Sequence, residues 1–158
     1  MNPFIARARG IGGDERGSSL IEMAVAAPFL LLLFVGMIDF GRYMYAGIEL
    51  GNAARAGVQY GARSALTAVD TAGMESAARS DAGDIALSSV AASYLCSCHG
   101  APGTAVPCDA LPDPCLAAAD YRELHVTVIA QGAFAPLIRY PGLAGVAISR
   151  TATQQVSP

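Results

Sequence analysis

The run Leu20 to Ile38, LIEMAVAAPFLLLLFVGMI, constrains this chain more than any other feature: 19 residues with a single charge. As a helix it covers roughly 28 Å at about 1.5 Å per residue, the thickness of a bilayer's hydrocarbon core. A buried core helix of that length would carry polar residues every third or fourth position, and none occurs between Met23 and Ile38. The run therefore predicts one membrane span. The 158 residues leave room for one modest domain beside it.

Arg7, Arg9 and Arg16 precede the run, and Arg42 and Arg55 follow it. Under the positive-inside rule this places the N-terminus in the cytoplasm and the remainder across the inner membrane, in the periplasm. A cleaved secretory signal is the rival reading, with a new N-terminus near Gly47. Such signals have an apolar core of about 7 to 15 residues and end in a small-x-small site, whereas Asp39, Phe40, Gly41 and Arg42 follow here. Composition removes another class: all ten basic residues are Arg, thirteen are Asp or Glu, and the net charge of -3 gives no footprint for nucleic acid.

Glu22 lies inside the apolar run, and an ionisable group there calls for a named partner. If the chain is cut between Gly17 and Ser18, Ser18 carries a new α-amine four residues from Glu22, about 6 Å along a helix. The same amine on a neighbouring subunit could pair in trans and set register. Ser19 and Glu22 also read as an S-x-x-E capping box at a helix start, and the two readings coexist. Pro28 removes a helical hydrogen bond to Ala24 and reads first as a tolerated kink, second as a bend-setting residue.

Taken together, RGSSLIEMAVAAPFLLLLFVGMIDFGRYMYAGIELGNAARAGVQYGA resembles the N-terminal module of TadE-like proteins over Arg16 to Ala62. The resemblance is carried by Arg-Gly before a small residue, Glu22 five positions after Gly17, Pro28, the Leu run, Asp39-Phe40-Gly41-Arg42 and Asn52-Ala53-Ala54-Arg55. It implies a prepilin-type leader over residues 1–17, cut by a prepilin peptidase between Gly17 and Ser18. It implies a minor-pilin (pseudopilin) role in tight-adherence, Flp-type pili, with other pilus-assembly subunits and inner-membrane platform proteins as partners, and a requirement for Glu22 in processing or assembly. Met23 stands where the resemblance leads one to expect Tyr in the major pilin or Phe in TadE-like proteins, which argues against the major pilin. Whether the chain enters the filament stays open.

Beyond the span, residues 39–95 are expected to be helical. Phe40, Met44 and Ile48 form one row, with Tyr43, Gly47, Leu50, Ala54 and Val58 beside it, so the helix is expected to continue to about Ala65. Gly47 with Gly51, and Gly57 with Gly61, are spaced for close helix approach, and ordinary packing against the chain's own second helix is the favoured reading. That second helix is expected over Thr71 to Tyr94, with Met74, Ala78, Ala82, Ile85, Ser89 and Ala92 on one small-residue face.

Residues 96–122 are rich in Cys, Pro and Gly and read as a loop. Cys96, Cys98, Cys108 and Cys115, spaced C-x-C-x9-C-x6-C with His99 nearby, favour two disulfides of unresolved connectivity in an exported domain. Zinc is the less favoured alternative, because no C-x2-C pair is present. Residues 123–158 form the C-terminal β region: Leu124, Val126, Val128 and Ala130 alternate with His125, Thr127, Ile129 and Gln131. Val146, Ile148, Ala152 and Val156 repeat that pattern, which predicts an antiparallel pair.

The fold class is thus α+β: a long N-terminal helix, a second helix, a small antiparallel strand pair and a stapled loop. No phosphate-binding glycine loop, zincin pattern or nucleophile elbow occurs, and His125 has no nucleophile near it in sequence. No enzyme, cofactor or metal is expected. The alternative function is a membrane-anchored extracytoplasmic binding module using the Cys loop without any filament; a secreted enzyme with a cleaved signal is a weaker third.

Overall fold

The computed structural model describes residues 15–83, 85–116, 119–138 and 145–156. Most of the leader expected over 1–17 lies outside these residues. The order is α1 (Glu15–Gly61), α2 (Ala65–Ala68), α3 (Thr71–Asp81), β1 (Leu87–Cys98), β2 (Ala101–Val106), β3 (Arg122–Phe134) and β4 (Val146–Val156). The chain divides after Ile38 into two compact units.

The first unit contributes the apolar part of α1. Its Leu, Ile, Met and Phe side chains from Leu20 to Met37 are exposed, as on a helix meant for an apolar solvent. Among the described residues, one helix is long and apolar enough to cross a membrane, within Gly17–Gly61, consistent with a single-pass anchor. Pro28 sits inside this helix, which runs through it as one element.

The second unit is an α+β domain on one antiparallel sheet of order β2-β1-β3-β4. β3 and β4 pair as their alternation predicts, with Leu124 opposite Val156, Val128 opposite Ala152 and Gly132 opposite Ile148. Val126, Val128, Ala130, Ile148 and Val156 share one face with Val90 of β1, and that face meets Leu50, Ala53, Ala54 and Val58 of α1 and Met74 and Ala78 of α3. The opposite face is polar: Ser89 Oγ donates to Gln131 at 3.0 Å, and the hydroxyls of Thr127 and Thr153 lie 3.0 Å apart. A sheet with one covered and one solvated face is the expected antiparallel solution.

Of the two rows read on α1, the Tyr43–Val58 row faces the sheet and Phe40, Met44 and Ile48 are exposed. Gly57 and Gly61 allow that contact to be close. A Cβ at Gly57 would stand 2.9 Å from the carbonyl oxygen of Met74 and 3.0 Å from a methyl of Val128. One at Gly61 would collide with the Met74 sulfur. These two glycines therefore serve packing within the domain, against α3 and β3. Gly51 has open space around it.

Three expectations are corrected. α1 ends at Gly61, short of Ala65, and Ser64 with Thr67 forms a capping box that opens α2. The second helix stops at Asp81, and the stretch from Leu87 that was expected to stay helical to Tyr94 is strand β1, so residues 39–95 are not all helical. Eleven β1 positions from Leu87 to Cys98 oppose β3 residues, and that ladder outweighs the weak helical preference of the Ser/Ala stretch. The Cys-rich segment 96–122 is not wholly loop, since it contains the end of β1 and all of β2. The strand pair is accordingly part of a four-stranded sheet.

Candidate functional site

Gly17, Ser18 and Glu22 lie on α1, which is already helical at Glu15. Ser19 is thus interior to the helix in the uncut chain, and the S-x-x-E pair does not cap its start. Glu22 is exposed between the exposed Ile21 and Met23, and no hydrogen bond or ion pair joins it to another described side chain. Gly17 lowers helix stability locally by about 1 kcal/mol relative to Ala, which favours opening at the bond expected to be cut.

The second half of the motif is explained by packing. Ala53 and Ala54 of Asn52-Ala53-Ala54-Arg55 are fully buried against the sheet. In Asp39-Phe40-Gly41-Arg42, the carboxylate oxygens of Asp39 accept the backbone N–H of Leu137 at 3.0 Å, and Arg42 pairs with Oδ1 of Asp39 at 3.1 Å. This role escaped the sequence reading because Leu137 is 98 residues away.

The four cysteines form two disulfides, Cys96–Cys108 and Cys98–Cys115, with Cα separations of 5.3 and 5.4 Å. Arg122 organises the loop they close. Its guanidinium donates to the carbonyls of Cys108 and Ala110, the latter at 2.9 Å, and pairs with Asp113 at 3.1 Å.

Both histidines converge on one carboxylate beside the stapled loop. Nδ1 of His99 lies 2.6 Å from Oε1 of Glu123, and Nε2 of His125 lies 3.4 Å from Oε2. The alternation of β3 puts Glu123 and His125 on one face, a signal legible in the sequence; the arrival of His99 needed the β1–β3 pairing. His99 stacks on Tyr121 at 4.6 Å between centroids, and Asp120 accepts the N–H of Gly100 at 2.6 Å and that of Tyr121 at 2.9 Å. Asp70 caps α3 through Gly73 N–H at 2.9 Å and accepts the Tyr60 hydroxyl at 2.8 Å.

These contacts displace titrations. The hydrogen bond from His99 holds the Glu123 carboxyl below its usual range, with support from His125 and Gln155 against the opposing effect of burial. The Gly100 N–H does the same for Asp120, and the Gly73 N–H, followed by the Tyr60 hydroxyl, for Asp70. The bond to Asp70 raises Tyr60 in turn. A carboxyl depressed on folding contributes stability above its unfolded pKa of about 4, lost as pH falls through the folded value; a raised Tyr contributes below about 10, lost above it. The urea midpoint is therefore expected to be flat from about pH 6 to 9 and to drop below about pH 4, with a shallower acid limb in Glu123→Gln.

An apolar N-terminal helix long enough to cross a membrane, followed by a disulfide-linked α+β domain, is consistent with a single-pass membrane anchor. The family model for TadE-like proteins matches residues 17–59, most of α1, and it is the family that the Arg16–Ala62 stretch resembles. That match supports a function connected with the tight-adherence pilus. No curated protein and no solved structure matches this chain.

Proposed function

We propose that this chain is a minor pilin, or pseudopilin, of tight-adherence pilus assembly. It is held in the inner membrane by α1, with a cytoplasmic leader and a periplasmic domain, and acts as a structural subunit, not an enzyme. A prepilin peptidase removes the leader between Gly17 and Ser18. The freed Ser18 amine then pairs with Glu22, in the same subunit or across to a neighbour, as the helices pack with other pilus-assembly subunits and inner-membrane platform proteins.

The observation that carries this reading is Glu22 itself, a carboxylate on an otherwise apolar exposed stretch of α1 with no partner among the described side chains. A charge in a span costs up to about 3 kcal/mol at the bilayer centre on insertion scales, less near the end, so it persists where a partner offsets it. Made across to a neighbour, the pairing also gives a register, because only one axial offset between subunits aligns amine and carboxylate.

The test compares wild type with Glu22→Ala and Glu22→Gln in membranes from cells that build the pilus. Both variants are expected to reach the membrane with intact disulfides, and to lose about tenfold or more in co-purification with the other pilus subunits, as expected when a charge pair worth about 1.4 kcal/mol or more is removed. Undiminished co-purification in both variants would contradict the role given to Glu22.

A further inference from the structure

The connection leaving β3 is fastened to α1 at a single level. Both oxygens of Asp39 take the Leu137 N–H at 3.0 Å, and the Asp39 side chain is only 14% exposed. Arg42, paired to Asp39, places its guanidinium 5.4 Å above the ring of Phe134, and Tyr43 meets that ring edge-on at 5.7 Å. Contacts from Asp39, Arg42 and Tyr43 thus clamp Phe134 and Leu137 to the first turn of α1 after the apolar run.

Asp39 directly follows Ile38, the last residue of that run. By chain continuity alone, Asp39 lies one helical rise of about 1.5 Å beyond it, where a spanning helix leaves the hydrocarbon. A carboxylate at that depth is unfavourable unless its oxygens are occupied, and those of Asp39 are, by an N–H and a guanidinium. The side chains just beyond the clamp are Leu137, 58% exposed, and Ile138, 40% exposed. Single exposed apolar residues are ordinary on a protein surface. An adjacent Leu-Ile pair held at the exit level of the span, beside an arginine able to snorkel toward phosphates, is placed where an apolar solvent is within reach.

Resting on the reading of α1 as a membrane anchor, we propose that Leu137 and Ile138 dip into the bilayer interface beside the helix and give the domain a second membrane contact. The partner is the boundary between lipid headgroups and acyl chains. One helix alone leaves a domain free to tilt and swing; a second contact, locked to the helix through Asp39, sets the domain's orientation on the membrane surface.

The chain contains no Trp, so each introduced Trp reports alone. The full chain is reconstituted in phosphatidylethanolamine–phosphatidylglycerol vesicles with and without lipids brominated near the top of the acyl chains. Leu137→Trp and Ile138→Trp are compared with Leu31→Trp in the span and with Leu66→Trp, a position on α2 that is 83% exposed. Absence of titratable thiols confirms that each variant has folded. Fluorescence of Leu31→Trp and of the two tip variants is expected to fall about twofold with brominated lipid while Leu66→Trp is unchanged, and Asp39→Ala is expected to reduce the quenching of Leu137→Trp. Quenching of Leu31→Trp with both tip variants behaving like Leu66→Trp would overturn the second contact and leave the anchor standing. An unquenched Leu31→Trp would overturn the anchor reading and this inference with it.

Discussion

Replacing Cys98 and Cys115 together with Ala is expected to lower the stability of the domain by about 3 kcal/mol, read as a lower urea midpoint under oxidising conditions. The two residues are 17 apart, and the chain-entropy model assigns a loop of this length a restriction of the unfolded chain of that size. Cys115 is fully buried, so the substitution also removes packed sulfur from the loop's interior. The Arg122 bonds to Cys108, Ala110 and Asp113 stay in place and keep the loop near its position, which limits the loss to the loop's own entropy and packing. Peptide mapping of the wild type without reduction is expected to recover Cys96 with Cys108 and Cys98 with Cys115. A midpoint unmoved by the double substitution would mean that the covalent link does not constrain the sheet end.

Leu50→Ala is expected to cost about 3 kcal/mol, within the range for emptying a packed core site. Leu50 is 1% exposed and its two methyls lie 3.3 Å from the place a Cβ on Gly132 would occupy. Its α1 neighbours on that face are Ala53 and Ala54, too short to fill the space, so the cavity stays open. Ile48→Ala is the matched control: Ile48 is 60% exposed, and its loss is expected to change stability by less than about 0.5 kcal/mol. Equal effects at the two positions would contradict the helix face assigned to the sheet. The comparison is made by urea unfolding of the oxidised protein.

How far the sequence was legible depended on the range of the interaction that decides each element. The apolar run announced itself because length and hydropathy alone define it, and the β3–β4 pair because period-two patterning survives without context. β1 did not. Between Leu87 and Leu95 the small residues Ser88, Ser89, Ala91, Ala92 and Ser93, which do not favour a strand, outnumber Val90 and Tyr94, and Met74 and Ala78 of α3, with Ala82 at its C-cap, lead into them in phase. Only the eleven-residue ladder with β3 makes it a strand. The disulfide connectivity was likewise undecided until the β1–β2 hairpin brought Cys96 near Cys108.

At the candidate site the division is similar. Gly17, Ser18 and Glu22 were visible as a local motif with a charge where none is expected. Asp39 and Arg42 were visible as motif members without a stated task, because the ring that they hold ends β3 and the N–H belongs to Leu137 on the connection after it. The meeting of His99 with Glu123 and His125 depended on strand order, a property that spacing in sequence does not carry.

The most direct test of the account is the N-terminal residue of the mature protein, determined by mass spectrometry on the membrane fraction of cells that build the pilus. The account predicts a start at Ser18, the residue freed by cleavage after Gly17. A mature chain that starts at Met1 or near Gly47 would contradict it.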